Sequence, residues 1–161
     1  MNIVRISGNS GSGKTTLITR IMPILTDRGY RVQSVKHTHH LVEWDKEGKD
    51  SYKLFTAGAN PILLITPEKV HASFRHGGDS DLKNILSHFN FEIDLIMLEG
   101  FRSEPFPEIR VLREMDSLDD RNENTPAAVV SLTNKDFPVP WFHIDDVEGI
   151  TNFIEENYLK S

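Results

Sequence analysis

The sequence predicts a three-layer α/β fold: a mainly parallel sheet with helices on both faces, and one antiparallel hairpin. Three observations predict it. The glycine-rich segment "GNSGSGKTT", Gly8 to Thr16, lies between a short apolar stretch and a segment with helical periodicity. Strand-like runs then alternate with helical patterns to the end of the chain, which calls for parallel pairing and cover on both faces. The run "DLIMLEG" is almost continuously apolar, as a doubly covered strand should be.

Taken in order, Ile3, Val4 and Ile6 read as a buried first strand, and Leu17, Ile18, Ile21, Met22 and Leu25 recur at helical spacing. Pro23 should kink or shorten that helix, and Gly29 should end it. "RVQSVKH" alternates at Val32 and Val35 as a second strand, and "SYKLFTAGA" reads as a short helix. "PILLIT" and "KVHASFR" are two strands joined at Pro67-Glu68, and a turn that tight requires antiparallel pairing. "DSDLKNILSHF" puts Leu82, Ile85, Leu86 and Phe89 on one helical face, with Asp79 or Ser80 as its cap. After "DLIMLEG" come the strands "EIRVLR" and "AAVVSLT", then a closing helix with Val147, Ile150, Ile154 and Tyr158 on one stripe. No repeat or linker interrupts the pattern, so the 161 residues are expected to form a single domain, residues 1–161.

The segment at Gly8 carries the chemistry. Gly8, Gly13, Lys14 and Thr15 meet the pattern G-x-x-x-x-G-K-[ST], which about half a percent of chains of this length would match by chance. Its context, strand then loop then helix, is the one a phosphate-binding P-loop needs. Glycines let backbone N–H groups curl around phosphate oxygens, and the helix N-terminus adds partial positive charge. Lys14 then reaches the β- and γ-phosphates, and the Thr15 hydroxyl ligates Mg²⁺.

A Mg²⁺-nucleotide also needs a carboxylate, and "DLIMLEG" delivers Glu99 to the end of a strand, where ligands bind in open α/β sheets. Gly100 beside it lets the backbone approach the γ-phosphate. A third cluster, "KHTHHLVEWDKEGKDS", opens at the same edge. Lys36, His37, His39 and His40 are candidates for anionic groups, and Asp45 for a second Mg²⁺ contact. The three histidines also invite a metal site, but no third convergent ligand can be named. In "VVSLTNKDF", Asn134, Lys135 and Asp136 fall one residue short of the N-K-x-D pattern whose carboxylate selects guanine; an ordinary polar turn before Pro138 competes with that reading. Arg102 reads as a phosphate or partner contact, or as an ordinary exposed arginine.

Eighteen basic against 24 acidic residues give a net charge of −6, which disfavours nucleic acid as the main partner. No cysteine is present, so disulfides and thiolate metal sites are excluded. No apolar run reaches membrane-spanning length, and strand residues from Asn2 onward leave no room for a signal peptide. A cytoplasmic protein without a membrane partner is expected.

The motifs "GNSGSGKTT", "KHTHH", "DKEGKDSYKLFTAGA" and "LIMLEGFR", in that order, together with the closing "HIDDVEGI", resemble the molybdopterin-guanine dinucleotide biosynthesis adaptor family, MobB. The resemblance implies a P-loop NTPase fold and a GTP-binding homodimer, at most a slow GTPase. Its partner would be the molybdopterin guanylyltransferase that couples GMP to molybdopterin, and molybdopterin-bearing enzymes besides. It implies phosphate and Mg²⁺ contacts at Gly11, Ser12, Gly13, Lys14, Thr15 and Thr16, a metal site completed by Glu99 with Asp45 as the loop carboxylate, and a cleft lined by Lys36, His37, His39 and His40. Two positions depart from the family's usual residues: Glu47 stands where proline is common, and Arg102 where lysine is. A small-molecule kinase and a histidine-based metallochaperone are the competing readings, although a kinase should carry a compact arginine lid and the arginines after Glu99 are dispersed.

Overall fold

The computed structural model describes residues 2–38, 45–75, 82–87, 92–118 and 125–160. The chain divides into two compact units, Met1–Thr38 with Glu92–Ser161, and His39–Phe91. The first unit holds a six-stranded sheet in the order β2-β5-β1-β6-β7-β8. Its strands are β1 (Asn2–Ser7), β2 (Val32–Lys36), β5 (Leu95–Glu99), β6 (Glu108–Val111), β7 (Ala128–Ser131) and β8 (Trp141–His143). Every pairing in it is parallel. The second unit contains the helices α2 (Asp50–Thr56) and α3 (Leu82–Ser87) and the antiparallel pair β3 (Ile62–Ile65) and β4 (Val70–Ser73). Thr66 and Lys69 close the hairpin, each donating its backbone N–H to the other residue's oxygen, so the turn falls at Pro67-Glu68 as the sequence requires.

Strand alternation sorts the sheet's two faces. Val4, Ile6, Leu95, Met97, Ile109, Val111, Ala128 and Val130 belong to a core with Leu17, Ile18, Ile21 and Leu25 of α1 (Lys14–Asp27) and Val147, Ile150 and Ile154 of α4 (Val147–Tyr158). These helical sets repeat at three- and four-residue spacing, which is why both helices lie on the sheet. Helix α1 continues past Pro23 to Asp27, so the expected shortening does not occur. It ends as expected at Gly29 (φ 90°), where Gly29 donates to Thr26 O and Tyr30 to Leu25 O, the paired closure of a left-handed C-terminal turn. Asp146 caps α4 by accepting from Gly149 N.

The sequence reading missed β8. The three residues of β8, directly after Pro140, are too few to carry a measurable alternation, and β8 forms because β7 offers an open edge. The caps proposed for α3, Asp79 and Ser80, fall outside the described residues.

The alternate positions on β1 and β6 are polar or charged and nevertheless buried: Arg5, Ser7, Glu108 and Arg110. Glu108 accepts from Arg5 Nη2 at 2.5 Å, from Arg110 Nε at 2.7 Å and from the Ser7 hydroxyl. Burial pushes its carboxyl pKa up, but the hydrogen bonds from Arg110 and Ser7 and the charges of Arg110 and Arg5 outweigh this and hold it below the usual range. The second terminal nitrogen of Arg5 donates to the carbonyls of Phe101, at 3.2 Å, and Arg102, at 2.6 Å. One network therefore ties the start of the glycine loop to the loop that follows β5.

Glu108→Gln preserves shape but removes the negative charge that faces the buried Arg5 and Arg110 guanidinium groups, and urea denaturation should show a loss of about 3 kcal/mol. A carboxyl with a lowered pKa contributes its full stabilisation above its unfolded value and loses it as pH falls through the folded one. The stability gap between parent and variant should accordingly be constant above about pH 5 and narrow in more acidic buffer.

Candidate functional site

The glycine loop starts where β1 stops. Gly8 has φ 140°, and a Cβ there would lie 2.2 Å from Val111 O and 2.7 Å from Ser12 Oγ, so only glycine fits. Gly11 and Gly13 also have positive φ, 73° and 96°. Gly13 is the N-cap of α1 and supplies no side-chain acceptor, and the first turn holds no acidic residue. The first-turn N–H groups, those of Lys14, Thr15 and Thr16, have no intrahelical acceptor by the geometry of an α-helix. The buried hydroxyl of Ser12 likewise has no hydrogen-bond partner among the described residues. Uncapped N–H groups, an orphaned buried hydroxyl and a cradle with no room for a Cβ fit a bound phosphate.

Lys14 lies along the loop and donates to Gly8 O at 3.0 Å and Asn9 O at 2.8 Å. Burial lowers its pKa, with Arg102 and Lys36 adding to the effect against the pull of Glu99. An anion in the loop would relieve that depression.

The registers Ile6↔Glu99 and Lys36↔Glu99 bring the ends of β1, β5 and β2 level. The Thr15 hydroxyl donates to Glu99 Oε1 and Oε2, each at 2.8 Å, and Lys36 Nζ is 3.0 Å from Glu99 Oε1 and 3.2 Å from Thr15 Oγ1. An ammonium thus occupies the corner between a hydroxyl and a carboxylate, the two hard oxygen donors that suit Mg²⁺.

The loop after Glu99 folds back on the glycine loop. Gly100 has φ 95°, and Phe101 has φ 54°, a left-handed conformation that costs a side-chain-bearing residue energy. The His37 ring packs on Phe101 with centroids 5.1 Å apart, and His37 N donates to Glu99 O at 3.0 Å. Arg102 Nη2 donates to Gly8 O at 3.3 Å and Asn9 Oδ1 at 3.4 Å. The sequence left Arg102 open between a phosphate contact and an ordinary exposed arginine; it is exposed, and it lies against the glycine loop.

A second tie reaches the segment compared with a guanine-selecting motif. Asn9 Nδ2 donates to Asp116 Oδ1 at 3.1 Å, and Lys135 Nζ donates to the carbonyls of Glu114, at 2.6 Å, and Asp116, at 2.9 Å. The side chain and backbone N–H of Arg113 and the amide of Asn9 hold the Asp116 carboxyl at about 2. Asn134 Oδ1 accepts from the N–H of Asp136, whose φ is 52°, and Asp136 is exposed. The turn is polar, as its residues suggest, and Lys135 ties it to the Glu114–Asp116 segment that meets Asn9.

Gly11, Ser12, Gly13, Lys14, Thr15, Thr16, Lys36, His37, Glu99 and Asp136 all belong to the first unit, whereas Asp45 belongs to the second, where it lines a groove with His71 and Ser73. His39 and His40 fall outside the described residues. Among the described residues no three histidine, aspartate or glutamate side chains form a metal-binding group, and no helix is long and apolar enough to cross a membrane.

The chain matches the family model of molybdopterin guanine dinucleotide synthesis protein B, MobB, over residues 3–132. It is 35% identical over 155 residues to the molybdopterin-guanine dinucleotide biosynthesis adapter protein of Escherichia coli, covering 91% of this chain and 87% of that one. To the adapter protein of Haemophilus influenzae it is 37% identical over 113 residues, covering 70% of this chain but 64% of the relative, less than two thirds of its length. A crystal structure of molybdopterin-guanine biosynthesis protein B superposes with a TM-score of 0.80 at 35% identity, over 96% of this chain and 97% of that chain. The structure of Bacillus subtilis MobB gives 0.75 at 25% identity over the full length of both.

Glu99→Gln removes the charge facing Thr15 and Lys36 while leaving the loop N–H groups in place. Nucleotide affinity in EDTA should be retained, and the gain on adding Mg²⁺ should drop by about tenfold, measured by calorimetric titration. An unchanged Mg²⁺ dependence would move the metal role to another residue.

Proposed function

Because the chain belongs to the MobB family of molybdopterin guanine dinucleotide synthesis proteins, we propose that it is a GTP-binding adapter for the attachment of GMP to molybdopterin. The observation that carries this reading is the uncapped start of α1, with Lys14 laid along the loop and Thr15 facing Glu99. The loop N–H groups of Gly11 to Thr16 would hold the phosphates, and Thr15 and Glu99 the Mg²⁺. The ion would supply charge neutralisation between the phosphate oxygens. Asp136, at the turn joined through Lys135 and Asp116 to Asn9, is the proposed contact to guanine. Asp45, Lys36 and the His37 to His40 segment remain proposed contacts to the nucleotide or the partner. The adapter names of the relatives favour this reading over a kinase or a metallochaperone.

Hydrolysis in the isolated chain is proposed to be slow. The only glutamine in the sequence is Gln33, paired with Ile96 inside β2, so no glutamine is available to orient an attacking water as in fast GTPases. Nucleotide occupancy is then a state that a partner reads. That partner is proposed to be the molybdopterin guanylyltransferase, in the cytoplasm where the nucleoside triphosphate pool lies.

The hairpin supports a second copy of this chain as a further partner. Leu63, Leu64, Ile65 and Val70 are exposed on β3 and β4, Ile65 to 73%, and a two-stranded sheet has two unpaired edges. Sedimentation at micromolar concentration should show a dimer, and Ile65→Lys should shift it toward monomer; a monomeric parent would overturn the dimer.

Lys14→Ala should weaken GTP binding by about 1.5–3 kcal/mol, the value of a charge-assisted phosphate contact, without unfolding the chain. Mixed with a molybdopterin guanylyltransferase, GTP and Mg²⁺, the parent should raise the yield of guanine dinucleotide cofactor and the variant should not. Full stimulation by the variant would sink the nucleotide-dependent adapter.

A further inference from the structure

We infer that Arg102 is the residue that distinguishes a nucleoside triphosphate from a diphosphate, by placing its guanidinium on the terminal phosphate. The inference rests on the nucleotide-binding reading above and adds a residue that no glycine-loop pattern contains.

Three cations converge on the mouth of the loop, and they differ in how they are occupied. Lys36 has a carboxylate partner, Glu99. Lys14 is held by two loop carbonyls at ordinary hydrogen-bond distances. Arg102 makes two long contacts to neutral acceptors, Gly8 O at 3.3 Å and Asn9 Oδ1 at 3.4 Å. No ion pair to a carboxylate is seen for it among the described residues, and its five N–H donors exceed what two long contacts use. An exposed guanidinium with weak neutral partners beside an anion cradle is poised for an anion.

Its position selects which phosphate. Gly8 O takes hydrogen bonds from both Lys14 and Arg102. A lysine in this loop bridges the β- and γ-phosphates, so a cation sharing that carbonyl is beside the same pair of phosphates. The backbone N–H groups of the loop and helix envelop the β-phosphate. Arg102 arrives instead from the loop after β5, three residues past Glu99, the carboxylate that would hold the Mg²⁺ accompanying a third phosphate.

The backbone beneath it is fixed for this purpose. Arg5, itself buried and locked to Glu108, donates to the carbonyls of Phe101 and Arg102. Phe101 is held at φ 54° with its ring against His37. A strained residue pinned from below and from the side, immediately before an exposed arginine, fixes where that side chain starts. Little else in the fold depends on the side chain of Arg102.

The test is a comparison of affinities for GTPγS and GDP, both with Mg²⁺, in the parent, Arg102→Ala and Arg102→Lys, by calorimetric titration. Arg102→Ala should lose on the order of tenfold or more for GTPγS and less than about twofold for GDP, and Arg102→Lys should recover part of the difference. Equal losses for both nucleotides, or no loss for either, would overturn the assignment of Arg102 while leaving nucleotide binding intact. A parent that binds neither nucleotide would instead remove the reading on which the inference rests. Thermal unfolding of the variants at the parent's midpoint shows that the comparison reports on the site.

Discussion

Glu108 locks the sheet to its loops, because its two oxygens receive hydrogen bonds from Arg5, Ser7 and Arg110 while Arg5 also reaches the loop that follows β5. Burying three charges is expensive, and an apolar cluster of the same volume would serve stability as well or better. What an apolar cluster could not do is donate hydrogen bonds to two backbone carbonyls at a chosen point. The network therefore exchanges stability for placement. It fixes Ser7, immediately before the glycine loop, and Phe101 and Arg102, immediately after the carboxylate-bearing strand, relative to a single carboxylate.

Everything at the site follows from that placement and from parallel pairing. Because β1 lies between β5 and β6, with β2 outside β5, the C-terminal ends of all these strands emerge along one edge of the sheet. The register brings Glu99 level with Ile6 on one side and Lys36 on the other, so hydroxyl, carboxylate and ammonium meet within hydrogen-bond distance. A one-residue slip of β5 would turn Glu99 to the other face and bring Leu98 to the site. Leu95 to Leu98 are apolar and buried on both faces, so hydrophobic pattern alone does not oppose such a slip, whereas the contacts of Glu99 with Thr15 and Lys36 would be lost by it.

How much of this was legible in the sequence depends on the range of each interaction. The glycine loop, the ends of α1, the hairpin turn and Glu99 at the end of an apolar run are local patterns, and the fold reproduces each of them. β8 was not legible, because a strand of three residues behind two prolines exists only through its neighbour. The shortening expected at Pro23 does not occur, for a related reason. Burial of Leu17, Ile18, Ile21 and Leu25 against the sheet outweighs the lost hydrogen bond, so tertiary packing overrides a local breaker. Arg5 and Glu108 are separated by more than a hundred positions, and alternating charges in two strands read as solvent-facing until the strands are paired. The proximity of Arg102 to Gly8 has the same origin: it spans 94 positions and follows from strand order, not from either segment alone.

Asn9 is where the glycine loop meets both the loop after β5 and the segment near Asp116. Its carbonyl accepts from Lys14, its side-chain oxygen from Arg102, and its amide donates to Asp116, whose carbonyl is held by Lys135 beside Asn134 and Asp136. The two loops are attached in opposite ways. After β5 the backbone is pinned by Arg5 and the arginine side chain is weakly held; near Asp116 the side chains themselves make the tie. A phosphate that recruited Lys14 and Arg102 would compete with acceptors on two adjacent residues, the carbonyls of Gly8 and Asn9 and the side-chain oxygen of Asn9, none of which belongs to the buried Glu108 network. The energy of that exchange is set by a few surface hydrogen bonds, each worth about 1 kcal/mol net. A rearrangement that reached the Glu108 network would cost several times as much, because it would unpair buried charges.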